Sequence, residues 1–255
     1  MKPSIRKFLV PIMALLLPTG VLAGPSGTLV IAENLTPENL DPANAQNSTV
    51  DQLMLGMYDT LVQFTAGETT VSPRLATDWS ASADGLTYTF NLRNGVTFHD
   101  GSALTADDVC FTFDRNQAAG ANALTDAGPY DSCNIVDDHT VQLNLSAPFG
   151  PFVSALGRVY IVNKDLVEPH MGDNFARTWL SVNEAGSGPY ALKSYKPDDS
   201  VSMTAYPDYW GGWDGNHVAE VVDVVGSASR DRFLHASRLS PSPLLRTIVM
   251  ALSLQ

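Results

Sequence analysis

Residues 86–109 read LTYTFNLRNGVTFHDGSALTADDV. Tyr88, Phe90 and Leu92 alternate with Thr89, Asn91 and Arg93, so an extended backbone puts the apolar three on one face and the polar three on the other. The pattern predicts a half-buried strand. Asn94-Gly95 tolerates positive φ and predicts a tight hairpin turn, with residues 96–98 returning alongside. His99-Asp100-Gly101 then interrupts the chain. Thr105 with Asp108 three residues on predicts a capped helix in which Ala106, Val109, Cys110 and Phe113 share a face. Hairpin, turn and capped helix make a scaffold, and the passage holds no reactive set of side chains.

The same grammar recurs outward. Val141, Leu143 and Leu145 alternate with polar residues after the turn at 136–139, predicting a second half-buried strand ended by Pro148. Residues 27–32 (GTLVIA), 160–162 and 201–206 are further strand candidates, and Gly186-Ser187-Gly188-Pro189-Tyr190 opens another. Val50, Leu53, Met54, Met57, Tyr58 and Leu61 fall at helical spacing behind Ser48 or Thr49 as N-cap, and Asn163 caps a short helix. Strands and helices interleave without regular βα alternation, which predicts a mixed α/β fold.

The N-terminus, MKPSIRKFLVPIMALLLPTGVLAGPSG, sets Lys2, Arg6 and Lys7 before an apolar run and small residues at the end. This is the layout of a secretory signal cut after Ala23. A retained anchor is the alternative, disfavoured because Pro11, Pro18 and Gly20 interrupt a run short of the ~20 residues a spanning helix needs. Residues 24–225 carry 26 acids against eight bases, a net of −18, which argues against nucleic acid as a partner. In an exported chain two cysteines predict a disulfide between Cys110 and Cys133, with two buried thiols as the alternative.

Catalytic constellations are weak. Ala185 and Pro189 stand where a nucleophile elbow around Ser187 needs glycine. No phosphate-cradling or dinucleotide-binding glycine motif occurs, and no two histidines lie at i, i+4 or at zinc spacing with cysteine. Acid pairs such as Asp107-Asp108 and Asp137-Asp138 fit a helix start and a turn better than acid/base chemistry. The tryptophans and tyrosines, Trp210 and Tyr209 among them, are more often core than pocket lining.

Taken together, LDPA at 40–43, YDTLV at 58–62, the long phrase from Pro73 to Arg115, VDDHTVQLNLSAPFGPF at 136–152, GSGPY at 186–190 and YPDYWGG at 206–212 resemble the solute-binding proteins of ABC importers, family 5, which serve peptides and nickel. The resemblance implies a type II periplasmic binding protein architecture, no cofactor and no catalysis. Its implied partners are a peptide or similar small solute and an inner-membrane ABC permease with a separate ATPase. A receptor for nickel chelate, oligosaccharide or opine is the alternative within transport, and a secreted hydrolase the alternative outside it. On this pattern residues 24–50 and 186–225 build a first lobe and 51–185 an extra subdomain. Glu33 and Asn34, just past the first strand, and Ser187, in the interlobe loop, are the expected ligand contacts. The family is about twice this length, and residues 226–255 hold four Arg and one acid. The expectation is therefore a reading-frame change near 223–226, an aberrant tail and a missing second lobe, with solute binding weak or absent through truncation and a non-functional remnant as a competing reading; a natural amphipathic tail is the alternative.

Overall fold

The computed structural model describes residues 27–33, 39–44, 48–65, 67, 70–213 and 215–225. The expected signal segment with its cut after Ala23, Asn34 and the expected tail all lie outside those residues.

The chain opens with β1 (Thr28–Glu33), a 3-10 turn at Pro42–Asn44 and helix α1 (Ser48–Met57). The apolar spacing that predicted a helix through Leu61 outruns it. Helix α1 stops at Met57, whose carbonyl accepts the Gly188 amide at 2.9 Å, and Tyr58 and Leu61 are buried at 1 % exposure beyond its end. Strands β2 (Val62–Phe64) and β3 (Val71–Pro73) pair antiparallel, and β4 (Ala76–Ala81) and β5 (Thr87–Leu92) follow. Helix α2 (Ala106–Ala118) starts on the expected capping box: the Thr105 hydroxyl accepts from the backbone while the Asp108 carboxylate accepts the Thr105 amide. Then come α3 (Asn122–Asp126), β6 (Tyr130–Asp137), β7 (Thr140–Leu145), α4 (Phe152–Ala155), α5 (Lys164–Val167), α6 (Arg177–Leu180), β8 (Tyr190–Lys196), β9 (Ser200–Ala205) and β10 (Glu220–Val225).

The expected hairpin across Asn94-Gly95 does not form. Both edges of β5 are already taken, by β4 on one side and β7 on the other, so a returning strand has no free edge to join. The chain instead leaves the sheet with Gly95 at φ 77°. Residues 96–98 pair locally with 102–104 around Asp100-Gly101, through Phe98 N–H to Ser102 C=O and Leu104 N–H to Val96 C=O. Val96, Phe98 and Leu104 are nevertheless buried, so the apolar pattern was right about burial and wrong about the partner.

Two four-stranded sheets result, ordered β1-β10-β9-β8 and β4-β5-β7-β6. The first is mixed, because β1 and β10 run parallel while β9 and β8 add antiparallel; the second is antiparallel throughout. Helix α2 lies on the second sheet, and the Cys110–Cys133 disulfide fastens it to β6. Each sheet has its own core. Phe90, Phe98, Phe113, Val141 and Leu143 centre one, and Leu40, Met54, Met57, Val162, Leu180 and Met203 the other.

The division between the cores differs from the expected 51–185 subdomain. Helix α1 and residues 162–185 pack with the first sheet. Residues 159–162 run between the two cores with alternating allegiance, Val159 and Ile161 to one, Tyr160 and Val162 to the other. An extended chain sends successive side chains to opposite faces, so a single segment joins both. It is bridged to the outgoing segment by Thr60 opposite Tyr160 and by the Ile161 amide donating to the Asp59 carbonyl.

Candidate functional site

In an open sheet with parallel strands, ligands sit beyond the carboxyl ends of those strands. Here β1 and β10 end together, Glu33 beside Val225. Glu33 is thus the last residue of its strand at the edge where a cleft would open. Ser187 lies elsewhere. It precedes β8, whose first residue Tyr190 pairs with Ala205, while neighbouring Thr204 pairs with Glu220 and Glu220 with Thr28. That row is the opposite end of the sheet, ~17 Å away for a six-residue strand. The expected grouping of Glu33 and Ser187 in one site is therefore corrected: the sheet separates them by its full length.

Ser187 is fully buried, and its hydroxyl donates to the Asp59 carboxylate at 2.9 Å. The same carboxylate, itself inaccessible, accepts Arg74 Nε at 2.7 Å and Trp210 Nε1 at 2.7 Å. Three donors around a buried carboxylate satisfy its charge and lone pairs without water. The Arg74 and Arg93 guanidiniums lie 5.3 and 4.5 Å from the Trp210 ring. Burial, with the Asp59 charge added, pushes the neighbouring Tyr209 phenol up to about 12. The glycines flanking Ser187 make its placement possible. A Cβ at Gly186 would stand 1.9 Å from the Met57 carbonyl oxygen, and one at Gly188 2.6 Å from that of Gly56.

His99 fastens the same loop. Its Nδ1 is 2.8 Å from Glu184 Oε1 and its Nε2 2.9 Å from the Gly188 carbonyl oxygen, while its own amide donates to the Gly186 carbonyl. Burial by itself would lower the imidazole pKa, but the hydrogen bond and charge of Glu184, the Gly188 carbonyl and Asp59 outweigh it and raise it above its ordinary value. Serine, histidine and two carboxylates therefore sit within one region without forming a nucleophilic relay. The Ser187 hydroxyl bonds a carboxylate and not the imidazole, and both imidazole nitrogens are engaged elsewhere.

Asp41 and Arg115 form a bidentate pair, each side chain 1 % exposed. Arg115 Nη1 and Nη2 donate to the two Asp41 oxygens at 3.1 and 2.7 Å, and its Nε donates to the Phe175 carbonyl. An open groove of about 600 Å³ runs along α2 past the disulfide, lined by Phe111, Ile135 and Met171 among others. Among the described residues no group of three or more His, Cys, Asp or Glu could hold a metal.

Sequence reasoning passed over Asp59, Arg74, Glu184, Asp41 and Arg115, and weighed Trp210 only as core or pocket lining. The signal was present: Asp59 lies in YDTLV, Arg74 and His99 in the long phrase, Ser187 in GSGPY, Trp210 in YPDYWGG and Asp41 in LDPA. Phrases scattered over about 170 residues meet at the joints between the two cores.

Comparison with known proteins accords with that assembly. The chain is 34 % identical over 206 residues to the dipeptide-binding protein of Escherichia coli (strain K12), a match covering 72 % of this chain and 38 % of that protein. It is 35 % identical over 227 residues to the probable D,D-dipeptide-binding periplasmic protein DdpA of the same organism, covering 86 % and 43 %. Among solved structures, the periplasmic binding protein DppA of Helicobacter pylori in complex with peptide STSA superposes with a TM-score of 0.70 at 28 % identity, over 83 % of this chain and 45 % of that one. The chain thus spans about two fifths of the length of the curated relatives it matches. Residues 70–236 match the family described as bacterial extracellular solute-binding proteins, family 5 Middle, past the expected boundary at Val225, and the chain belongs to that family.

Proposed function

We propose that this chain contributes the first lobe and subdomain of a periplasmic receptor that grips a short peptide and presents it to an ABC permease driven by a separate ATPase. The observation that carries this reading is the parallel pair β1–β10 ending at Glu33 and Val225, within a chain whose 34–35 % identical relatives are named for dipeptides. Glu33, the last residue of β1, and Asn34, which follows it in sequence outside the described residues, are the proposed ligand contacts; an acidic residue suits a peptide's amino terminus. Ser187, buried against Asp59, has no part in it. Residues 1–23 are proposed to direct export and to be removed after Ala23, which N-terminal sequencing of the exported protein tests.

Calorimetric titration with mixed di- to pentapeptides, on this chain and on a chain extended to the length of its relatives, tests the solute. Heat of binding with peptides, reduced by Glu33→Ala, is the expected result. Binding only by a nickel chelate, an oligosaccharide or an opine, with none by peptides, would overturn it.

A further inference from the structure

The contacts of His99 carry a consequence independent of what the protein binds. A backbone carbonyl can only accept a hydrogen bond, and Gly188 presents one to Nε2 at 2.9 Å. Nδ1 faces Glu184 Oε1 at 2.8 Å, and the other oxygen of that carboxylate accepts the Gly186 amide at 2.7 Å. Neutral imidazole carries one N–H. With an ionised Glu184 it leaves one of these two acceptors without a donor, in a place where both side chains are about one-tenth exposed. The pair therefore holds one proton more than a neutral histidine beside a carboxylate.

That proton sits at a joint. His99 belongs to the turn packed on the second core; Glu184, Gly186 and Gly188 belong to the loop that returns to the first sheet. The charged groups facing the ring are Glu184 and, further off, Asp59. The Tyr206 and His99 rings meet in a T-shaped contact with centroids 4.9 Å apart, and Tyr206 donates its hydroxyl to the Phe98 carbonyl. Asp100, next in the turn, is occupied by Ser102 and Asn163. Asp59 has Arg74 as its own cation, so the cation that balances Glu184 is the imidazolium.

We propose that His99 is a proton-operated latch between the two units: doubly protonated, it clamps the 184–188 loop to the 98–101 turn, and loss of one proton loosens that loop. A histidine more basic in the latched state than in the open one gives its full contribution below the open-state value of about 6.5 and loses it as pH rises through the latched value. Nitrogen-15 imidazole spectra of the full chain test the protonation directly. The expected result is two protonated ring nitrogens at acidic pH and a midpoint above about 6.5, falling in Glu184→Gln. Amide exchange at Gly186 and Gly188, corrected for intrinsic base catalysis, should rise through the same window in the wild type and be flat in His99→Gln. The total fold-rise should equal the ratio of the open and latched acid constants, so the two readouts must agree. A single-tautomer neutral ring at acidic pH, a midpoint at or below about 6.5, or exchange at 186–188 that ignores the His99 titration would overturn the latch. The wild-type spectra alone decide it if His99→Gln does not fold.

Discussion

At Gly186 the loop meets the end of α1 with no room for a methyl group. The atom in the way is the Met57 carbonyl oxygen, 1.9 Å from the would-be Cβ, and backbone at a helix end cannot swing aside as a long side chain would. Gly186→Ala is expected to cost about 3 kcal/mol of stability, the upper range for overpacking, read as a lowered urea midpoint; an unchanged midpoint would show that the loop shifts to admit a methyl group without loss. The Asp41–Arg115 pair is a second test at this scale. Removing one partner of a buried ion pair strands the other's charge, so Asp41→Asn should cost about 3–5 kcal/mol, whereas an apolar replacement of both should cost much less. Equal losses in the two variants would mean that packing, and not charge, is what Asp41 supplies.

Helix α2 is held at its N-cap and, within its first half, through Cys110. The capping box at Thr105 satisfies its first amides, and Thr105→Ala should lose about 1 kcal/mol, measured as a shift in denaturation midpoint. The Cys110–Cys133 bond closes a loop of 23 residues in sequence separation between the helix and β6. In the chain-entropy account its reduction frees the unfolded chain by about 3 kcal/mol, so reductant should lower the midpoint accordingly. A midpoint indifferent to reductant would indicate that α2 stays on its sheet by apolar contact alone. That contact is substantial, since Val109 and Phe113 are fully buried in the same core as Phe90 and Val141.

Across the molecule, two cores are joined by residues that face both. Asp59 is the centre of that joint, with Arg74 reaching it from the segment before β4, Ser187 from the returning loop and Trp210 from the turn after β9. Asp59→Asn keeps the shape and removes the charge. It should cost about 2 kcal/mol, as for hydrogen bonds to a charged group, and shift Trp210 emission while leaving both sheets intact. Loss of a single cooperative transition in favour of two would show that this node is what couples the cores.

The alternating runs at 88–92 and 141–145 and the Thr105–Asp108 box were enough to place β5, β7 and the start of α2, because side-chain period and capping act over a few residues of chain. Mixed α/β class, the two-cysteine pairing and the family likeness were legible for the same reason: each rests on residue type or local order. Which strand lies beside β5, where α1 ends and whether Ser187 faces a cleft or a carboxylate were not legible. Those outcomes depend on competition for sheet edges and on contacts among Met57, Asp59, His99, Trp210 and the loop at 184–188, whose partners lie from 85 to 151 residues apart in the chain. Only folding brings such groups within hydrogen-bonding distance, and it is there that a hydroxyl read as a ligand contact becomes part of a buried joint.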